Sequence, residues 1–173
     1  MSRILDAIAA HARSRPYATA ISGGGRFWTY AALQADVTSM ADTLSGLLAN
    51  ASLEAPVALA FDNCPEWSII DLALIALGRT TLPLPPFFSP SQFNHALVEA
   101  GACAIIRPCY AGETALFSHP AAPLLALALT GLAPKALPHG AAKITFTSGS
   151  TAAPKGVCLS LSQLEDVAQS IVA

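Results

Sequence analysis

Short apolar runs that alternate with helix-like segments place the strongest constraint on the fold of this chain. The runs have the length of strands and cover residues 57–61, 80–84, 103–106, 124–129 and 143–147. A strand that is apolar at nearly every position is typical of a sheet buried on both faces, as parallel sheets covered by helices are. We therefore predict an α/β fold with a mostly parallel sheet flanked by helices.

Helix signals fill the segments between these runs. Apolar residues recur at helical spacing over 3–12 and 30–49, and Thr29 is a suitable N-cap for the second of these segments. Pro65 and Pro90 open two more predicted helices, which end near glycines. We expect a hairpin about the glycines at 23–25.

Several polar residues have a structural interpretation. Ser162 and Glu165 have the spacing of a capping box for a last helix, and Asp62 and Glu66 are expected to be helix caps and not an acid/base pair. The residues over 130–142 lack an apolar period, which predicts a surface connection.

Histidine and cysteine show no metal-binding pattern. The four cysteines are scattered without a C-x-x-C pair, so we expect them to be small buried apolar residues. The histidines have neither a partner four positions away nor an adjacent acid, so surface or capping roles are expected for them. They are His11, His95, His119 and His139.

Charge and composition bear on the partners. The 173 residues include 9 Lys+Arg against 11 Asp+Glu, a net charge of −2, so no basic surface for nucleic acid is expected. No uncharged apolar stretch has the roughly 20 residues of a membrane helix, and early arginines break any secretory leader, so a cytoplasmic protein is expected. Apolar types reach 53% and charged types 12%, which favours exposed apolar surface and self-association through it.

The segment TSGSTAAPKG, residues 147–156, carries the chemistry. Small residues let the backbone approach a ligand, while N–H groups, hydroxyls and the Lys155 ammonium suit phosphate oxygens. A Walker A loop would not place Pro154 before the lysine and Gly156 after it, and no G-x-G-x-x-G opens a helix. The segment predicts a phosphate-binding loop whose first residues are Thr147, Ser148, Gly149, Ser150 and Thr151.

This segment resembles the phosphate loop of the adenylate-forming superfamily, which includes acyl-CoA synthetases, peptide-synthetase adenylation domains and luciferases. The likeness extends upstream to residues 27–30, 63–67 and 82–84, which are similar to the opening region of that family. The resemblance implies that residues 1–173 are an incomplete N-terminal AMP-binding domain, and that the rest of that domain and a C-terminal domain are absent.

The resemblance also implies a reaction. An ATP-dependent, AMP-forming ligase activates a carboxylic acid as an acyl-adenylate, and CoA or a carrier-protein thiol then accepts the acyl group. No catalytic residue is expected within this chain, and the ligand of the Mg²⁺ that accompanies ATP is expected outside it. Carried over by position, the hydroxyl donors would be Thr147, Ser148, Ser150 and Thr151, the flexible points Gly149 and Gly156, and the cation facing the phosphates Lys155.

Two positions depart from the family pattern. Ala152 stands where the family has glycine, and Leu161 lies near a position where it often has histidine. The isolated chain is predicted to be inactive because it lacks groups for adenine and ribose. The alternative is a non-catalytic scaffold derived from the same fold, whereas a P-loop hydrolase would need a Walker lysine that this sequence lacks.

Overall fold

A computed structural model describes residues 2–117, 122–147 and 154–172 of the chain. The helices are α1 (Arg3–Ser14), α2 (Tyr30–Leu47), α3 (Pro65–Ala76), α4 (Pro90–Ala100) and α5 (Leu161–Val172). The strands are β1 (Thr19–Gly23), β2 (Arg26–Thr29), β3 (Val57–Leu59), β4 (Thr81–Pro83), β5 (Ala104–Pro108), β6 (Leu125–Leu129), β7 (Ala141–Phe146) and β8 (Gly156–Ser160).

Six strands form one sheet in the order β6-β5-β3-β4-β7-β8, while β1 and β2 form a separate hairpin. The four inner strands are parallel to one another, and both edge strands run antiparallel to their neighbours. The predicted α/β class with a mostly parallel sheet is confirmed. Strand β8 was not predicted, because its sequence begins with glycine and is not continuously apolar.

Helices cover both faces of the sheet, because the inner strands carry apolar side chains on both faces. The chain moves from β3 through α3 to β4 and then returns through α4 to β5 on the other side of β3. Because crossovers between parallel strands are right-handed, the reversal places α3 and α4 on opposite faces. In β3, Val57 and Leu59 pack in the cluster that contains α3, and Ala58 packs in the cluster that contains α4.

The predicted helix boundaries have clear local causes. Thr29 accepts a hydrogen bond from Ala32 N at the start of α2. Ser89 and Gln92 form a reciprocal capping box at the start of α4, and Gly101 ends that helix at φ 61°, a left-handed conformation that favours glycine. In the β1–β2 turn, Gly24 and Gly25 also have positive φ, which confirms the predicted glycine hairpin.

The cap of α5 differs from the predicted one. Gln163 N donates to Ser160 Oγ, and Ser160 N donates to Gln163 Oε1, so the capping box starts two residues before Ser162. Glu165 instead accepts hydrogen bonds from Ser2 Oγ and Arg3 Nε, each at 2.9 Å. The two ends of the described chain are therefore tied together by α1 and α5.

Glu66 lies in the first turn of α3, the helix start at which it was expected, and it also has a partner on another element. Its side chain is 1% exposed and forms a two-pronged ion pair with Arg26 of β2, with Arg26 Nη2 2.9 Å from Glu66 Oε2. Burial alone would raise the pKa of Glu66. Hydrogen bonds from Arg26, from the Glu66 backbone and from Cys64, together with the charge of Arg26, outweigh burial and hold the pKa below its ordinary value. This pair fixes the β1–β2 hairpin onto α3.

The apolar expectations have mixed outcomes. All four cysteines are partly buried, and Cys103 and Cys158 pack against the core clusters, so the expectation of small buried apolar residues holds in part. Exposed apolar side chains are scattered over many elements, Tyr17, Phe87 and Ile171 among the most exposed. Within the described residues, no helix is both long and apolar enough to cross a membrane.

The Arg26–Glu66 pair generates a stability prediction. We expect Glu66→Gln to lower the free energy of unfolding at pH 7 by about 2 kcal/mol, because a charge-assisted pair is lost. The contribution of the ionised carboxylate is complete above the ordinary glutamate pKa of about 4.3 and is lost as pH falls through the lower folded pKa. The difference between wild type and variant should therefore shrink below about pH 4.

Urea unfolding at several pH values measures this difference. Glu54→Gln is the matched control, since Glu54 is exposed and should change stability by less than about 0.5 kcal/mol. Equal effects of the two substitutions would contradict the structural role of the pair.

Candidate functional site

The predicted phosphate-binding segment connects β7 to β8. Of its residues, Thr147, Pro154, Lys155 and Gly156 are described. The predicted contacts of Ser148, Gly149, Ser150 and Thr151, and the departure at Ala152, lie outside the described residues. The geometry of the site therefore comes from the two ends of the segment, which we call the hairpin neck, residues 146–147 and 154–156.

Backbone pairing closes the hairpin neck. Phe146 is the register partner of Gly156 in the antiparallel ladder. Thr147 N then donates to Lys155 O at 3.1 Å, and the Thr147 hydroxyl lies 3.5 Å from the same carbonyl oxygen. Both ends of the predicted loop are thus held at one place at the end of β7.

Lys155 lies at this closed end with an exposed side chain. The other two lysines of the sequence are paired: Lys135 Nζ is 3.1 Å from Glu99 Oε2, and Lys143 Nζ is 2.7 Å from Asp71 Oδ2. Over the described residues, no acidic side chain lies within salt-bridge distance of Lys155. An exposed ammonium without a protein counter-ion can meet an anionic ligand at little desolvation cost.

Gly156 has a different role from the expected flexible point. It lies in β8 and its φ is not positive. A Cβ atom at this position would be 3.1 Å from Phe146 Cζ and 3.2 Å from Ile144 Cγ2, closer than side chains normally pack. The absence of a side chain at Gly156 therefore makes room for the Phe146 ring within the hairpin neck.

His95 of α4 reaches the hairpin neck, although no role was predicted for it. Its Nε2 atom is 3.1 Å from the carbonyl oxygen of the buried Pro154. Its ring also packs edge-to-face on Phe146, with 6.2 Å between the ring centroids and 84° between the planes. For His95, the expectation of a surface or capping role is wrong. Its side chain is half-buried, and its hydrogen-bond partner is 59 residues away in sequence.

Polar side chains reinforce the junction between β7 and β4. The β4–β7 ladder has a single register pair, Thr81 with Lys143. Thr80 Oγ1 donates to Ala141 O at 2.7 Å, and Thr81 Oγ1 donates to Asp71 Oδ1 at 2.8 Å. Lys143 Nζ completes this network by its bond to Asp71 and lies 4.8 Å from the Trp67 ring centroid. Lys143 is therefore committed to structure, unlike Lys155.

The hairpin neck lies at the carboxyl ends of the parallel strands. Because β3, β4 and β7 are parallel, their carboxyl ends share one edge of the sheet, and Thr147 directly follows β7 there. In open α/β folds, ligands bind outside the carboxyl ends of the strands. The amino-terminal end of α4, capped by Ser89, follows β4 at the same edge.

A cavity of about 680 Å³ lies elsewhere, between β2, α2 and the segment that follows β5, and no residue of the neck lines it. Its charged groups are engaged with other protein groups, since Arg26 binds Glu66 and Trp28 Nε1 donates to Asp36 Oδ2 at 2.7 Å. We therefore place the candidate site at the hairpin neck and not in this cavity. Within residues 2–117, 122–147 and 154–172, no group of three or more His, Cys, Asp or Glu side chains could hold a metal ion.

Comparisons with known proteins identify the family and the fold. The family model "AMP-binding enzyme" matches residues 8–172. Apicidin F synthase of Gibberella fujikuroi is 33% identical over 159 residues, which cover 83% of this chain and 3% of the synthase.

Solved structures show the same fold. The structure of VinN with L-aspartate has a TM-score of 0.73 and 20% identity, covering 97% of this chain and 50% of VinN. O-succinylbenzoate Coenzyme A synthetase of Bacillus subtilis, in complex with AMP, has a TM-score of 0.70 and 18% identity, covering 95% of this chain and 44% of that enzyme. The chain thus spans half or less of these structures and a small fraction of the synthase.

Packing at Gly156 generates a prediction. We expect Gly156→Ala to lower the free energy of unfolding by about 1–2 kcal/mol, because the new methyl group must displace the Phe146 ring. The Phe146 ring resonances should shift in NMR spectra. Gly46→Ala is the control: a Cβ there would contact nothing within 4 Å, and alanine should stabilise α2 by about 0.5–1 kcal/mol. A neutral Gly156→Ala would contradict the packing role.

Proposed function

Because the chain belongs to the AMP-binding enzyme family, we propose that it supplies the phosphate-holding part of an ATP-dependent ligase, which activates a carboxylic acid as an acyl-adenylate. The observation that carries this proposal is the closed hairpin neck with the exposed Lys155 beside it. A cation at the carboxyl end of a parallel sheet, next to a segment rich in hydroxyls and glycine, suits a polyphosphate chemically.

In this proposal the segment holds the β- and γ-phosphates of ATP. Lys155 neutralises part of their charge, and the N–H groups and hydroxyls donate to the phosphate oxygens. The proposed contact residues are Thr147, Ser148, Gly149, Ser150, Thr151, Lys155 and Gly156. Gly156 contributes by its packing against Phe146 and not by backbone freedom.

The catalytic contribution of such a site is position and charge. The substrate carboxylate attacks the α-phosphorus, the bond from that phosphorus to the bridging oxygen breaks, and pyrophosphate leaves with the negative charge. A fixed ammonium next to the departing phosphates stabilises the charge that develops on them. The residues of the neck take no part in covalent bond changes.

The residues of this segment fit a triphosphate but not a metal ion by themselves. They offer hydroxyls, amides and an ammonium, whereas Mg²⁺ prefers carboxylate and phosphate oxygens. The Mg²⁺ that accompanies ATP would draw its protein carboxylate from outside this chain. When bound, the ion would neutralise phosphate charge.

Position 161 bears on the acid substrate. Leu161 is the first residue of α5 and is partly buried. An alkyl side chain cannot donate a hydrogen bond, so we propose that the acid is oriented here by packing alone. The alanine at 152 removes the conformational freedom that glycine would have at that position.

This chain covers half or less of the length of the matched solved structures, and this supports the proposed domain organisation. We propose that residues 1–173 form the first part of an N-terminal AMP-binding domain. The groups for adenine, ribose and the acyl acceptor, CoA or a carrier-protein thiol, would then come from other parts of the enzyme. The chain alone should bind polyphosphate without turnover.

Titration with ATP and with inorganic tripolyphosphate tests the proposal. NMR of the ¹⁵N-labelled chain should show shifts of Thr147, Lys155 and Gly156 with both ligands. Lys155→Ala should weaken tripolyphosphate binding about tenfold, the worth of one charge-assisted contact. Lys135→Ala is the matched control, because it removes the same charge at a lysine that is paired with Glu99 and is not one of the proposed contact residues.

The outcomes separate the candidate functions. Equal weakening by both lysine substitutions would mean non-specific charge attraction and would contradict the site. A cooperatively folded chain that is indifferent to both ligands would support the non-catalytic scaffold. In the whole enzyme, carboxylate-dependent exchange of pyrophosphate into ATP should fall with Lys155→Ala.

A further inference from the structure

The contact between α4 and the hairpin neck points to a residue that acts on the phosphate segment from outside it. We propose that His95 is a positioning residue, which holds the Pro154 carbonyl and thereby sets where the Lys155 side chain begins. This inference rests on the proposed function, since Lys155 is taken to face phosphate. His95 itself touches no reacting atom.

The hydrogen-bond chemistry defines the state of the imidazole. A proline carbonyl oxygen only accepts hydrogen bonds, so Nε2 of His95 must carry the hydrogen at the 3.1 Å contact. Pro154 has no N–H of its own and cannot join the β7–β8 ladder as a donor. The carbonyl oxygen is therefore the only backbone hydrogen-bonding group of Pro154. It belongs to the peptide unit that joins Pro154 to Lys155.

A second contact of the same ring fixes the other strand. The imidazole packs edge-to-face on Phe146, and Phe146 fills the space that Gly156 leaves open. One side chain thus contacts β7 and also the residue that precedes Lys155. This double contact adds to the restraint that the Thr147–Lys155 backbone bond places on the neck.

Helix α4 provides a rigid base for this contact. It has a complete capping box at its start and a glycine cap at its end. Ala96, next to His95, is fully buried in the cluster that α4 forms with β4 and β7. Because the helix backbone is fixed on both sides of His95, a displacement of Pro154 would require α4 to move or the hydrogen bond to break.

Two substitutions separate the hydrogen bond from the ring. His95→Phe keeps an aromatic edge for Phe146 but removes the donor, and His95→Gln keeps an N–H donor at similar reach but removes the ring. The control is His139→Gln at an exposed position of the connection before β7. All four chains, wild type included, are measured as the complete 173-residue protein.

Hydrogen exchange gives the first readout, which needs no ligand. The Thr147 amide, bonded to Lys155 O, should exchange about fivefold faster in His95→Phe, the worth of one hydrogen bond. His95→Gln should stay within about twofold of wild type. The Val57 amide, bonded to Thr80 O in the core, should not change. Equal acceleration of both amides would mean a general loss of stability and would overturn the proposal.

Binding of inorganic tripolyphosphate gives the second readout. We expect about fivefold weaker binding in His95→Phe, recovery in His95→Gln and no effect of His139→Gln. Unchanged binding in His95→Phe, with wild type binding normally, would overturn the positioning role. If neither the wild type nor Lys155→Ala binds tripolyphosphate, the proposed function fails. The hydrogen-exchange measurement still decides whether His95 holds the neck.

Discussion

The attachment of β7 to the sheet is the constraint on which the candidate site depends. Its ladder with β4 has one register pair, and polar side chains add to it. The Thr80 hydroxyl donates to Ala141 O of β7, and Lys143 of β7 and Thr81 of β4 both bond to Asp71 of α3. These contacts fix the position of β7 along the sheet. The end of β7 in turn fixes the position of Thr147. A polar network within the core thereby places a surface site.

The same strand connects two packing layers of different character. On one side of the sheet, Lys143 lies over Trp67 of α3, and on the other, Ile144 and Phe146 pack in the cluster that contains α4. The hairpin neck is braced through this second layer, where His95 contacts both Phe146 and Pro154. In the proposed function, such support fixes the two ends of the phosphate-binding segment, which favours a defined position of the ligand.

The sequence signals that succeeded are local, and those that failed involve distant partners. Continuous apolar runs predicted the parallel core, glycines predicted the β1–β2 turn, and Pro90 predicted the start of α4. Glu66 has the sequence position of a helix cap, yet its partner Arg26 is 40 residues away. Glu165 and His95 bond to partners 163 and 59 residues away. A carboxylate or imidazole takes the nearest complementary group in space, which local spacing does not reveal.

The electrostatics of the chain explain why Lys155 stands out. With so few charged side chains, most cations already serve the fold: Arg26 holds β2 on α3, Lys143 holds β7, and Arg3 joins α1 to α5. A cation that is paired within the protein gains little from an external anion, because it must first give up its partner. Lys155 has no such partner among the described residues, and its backbone carbonyl is bonded to Thr147. An anion that entered beside it would therefore meet an ammonium that is not engaged by an acid, on a backbone that the bond to Thr147 holds in place.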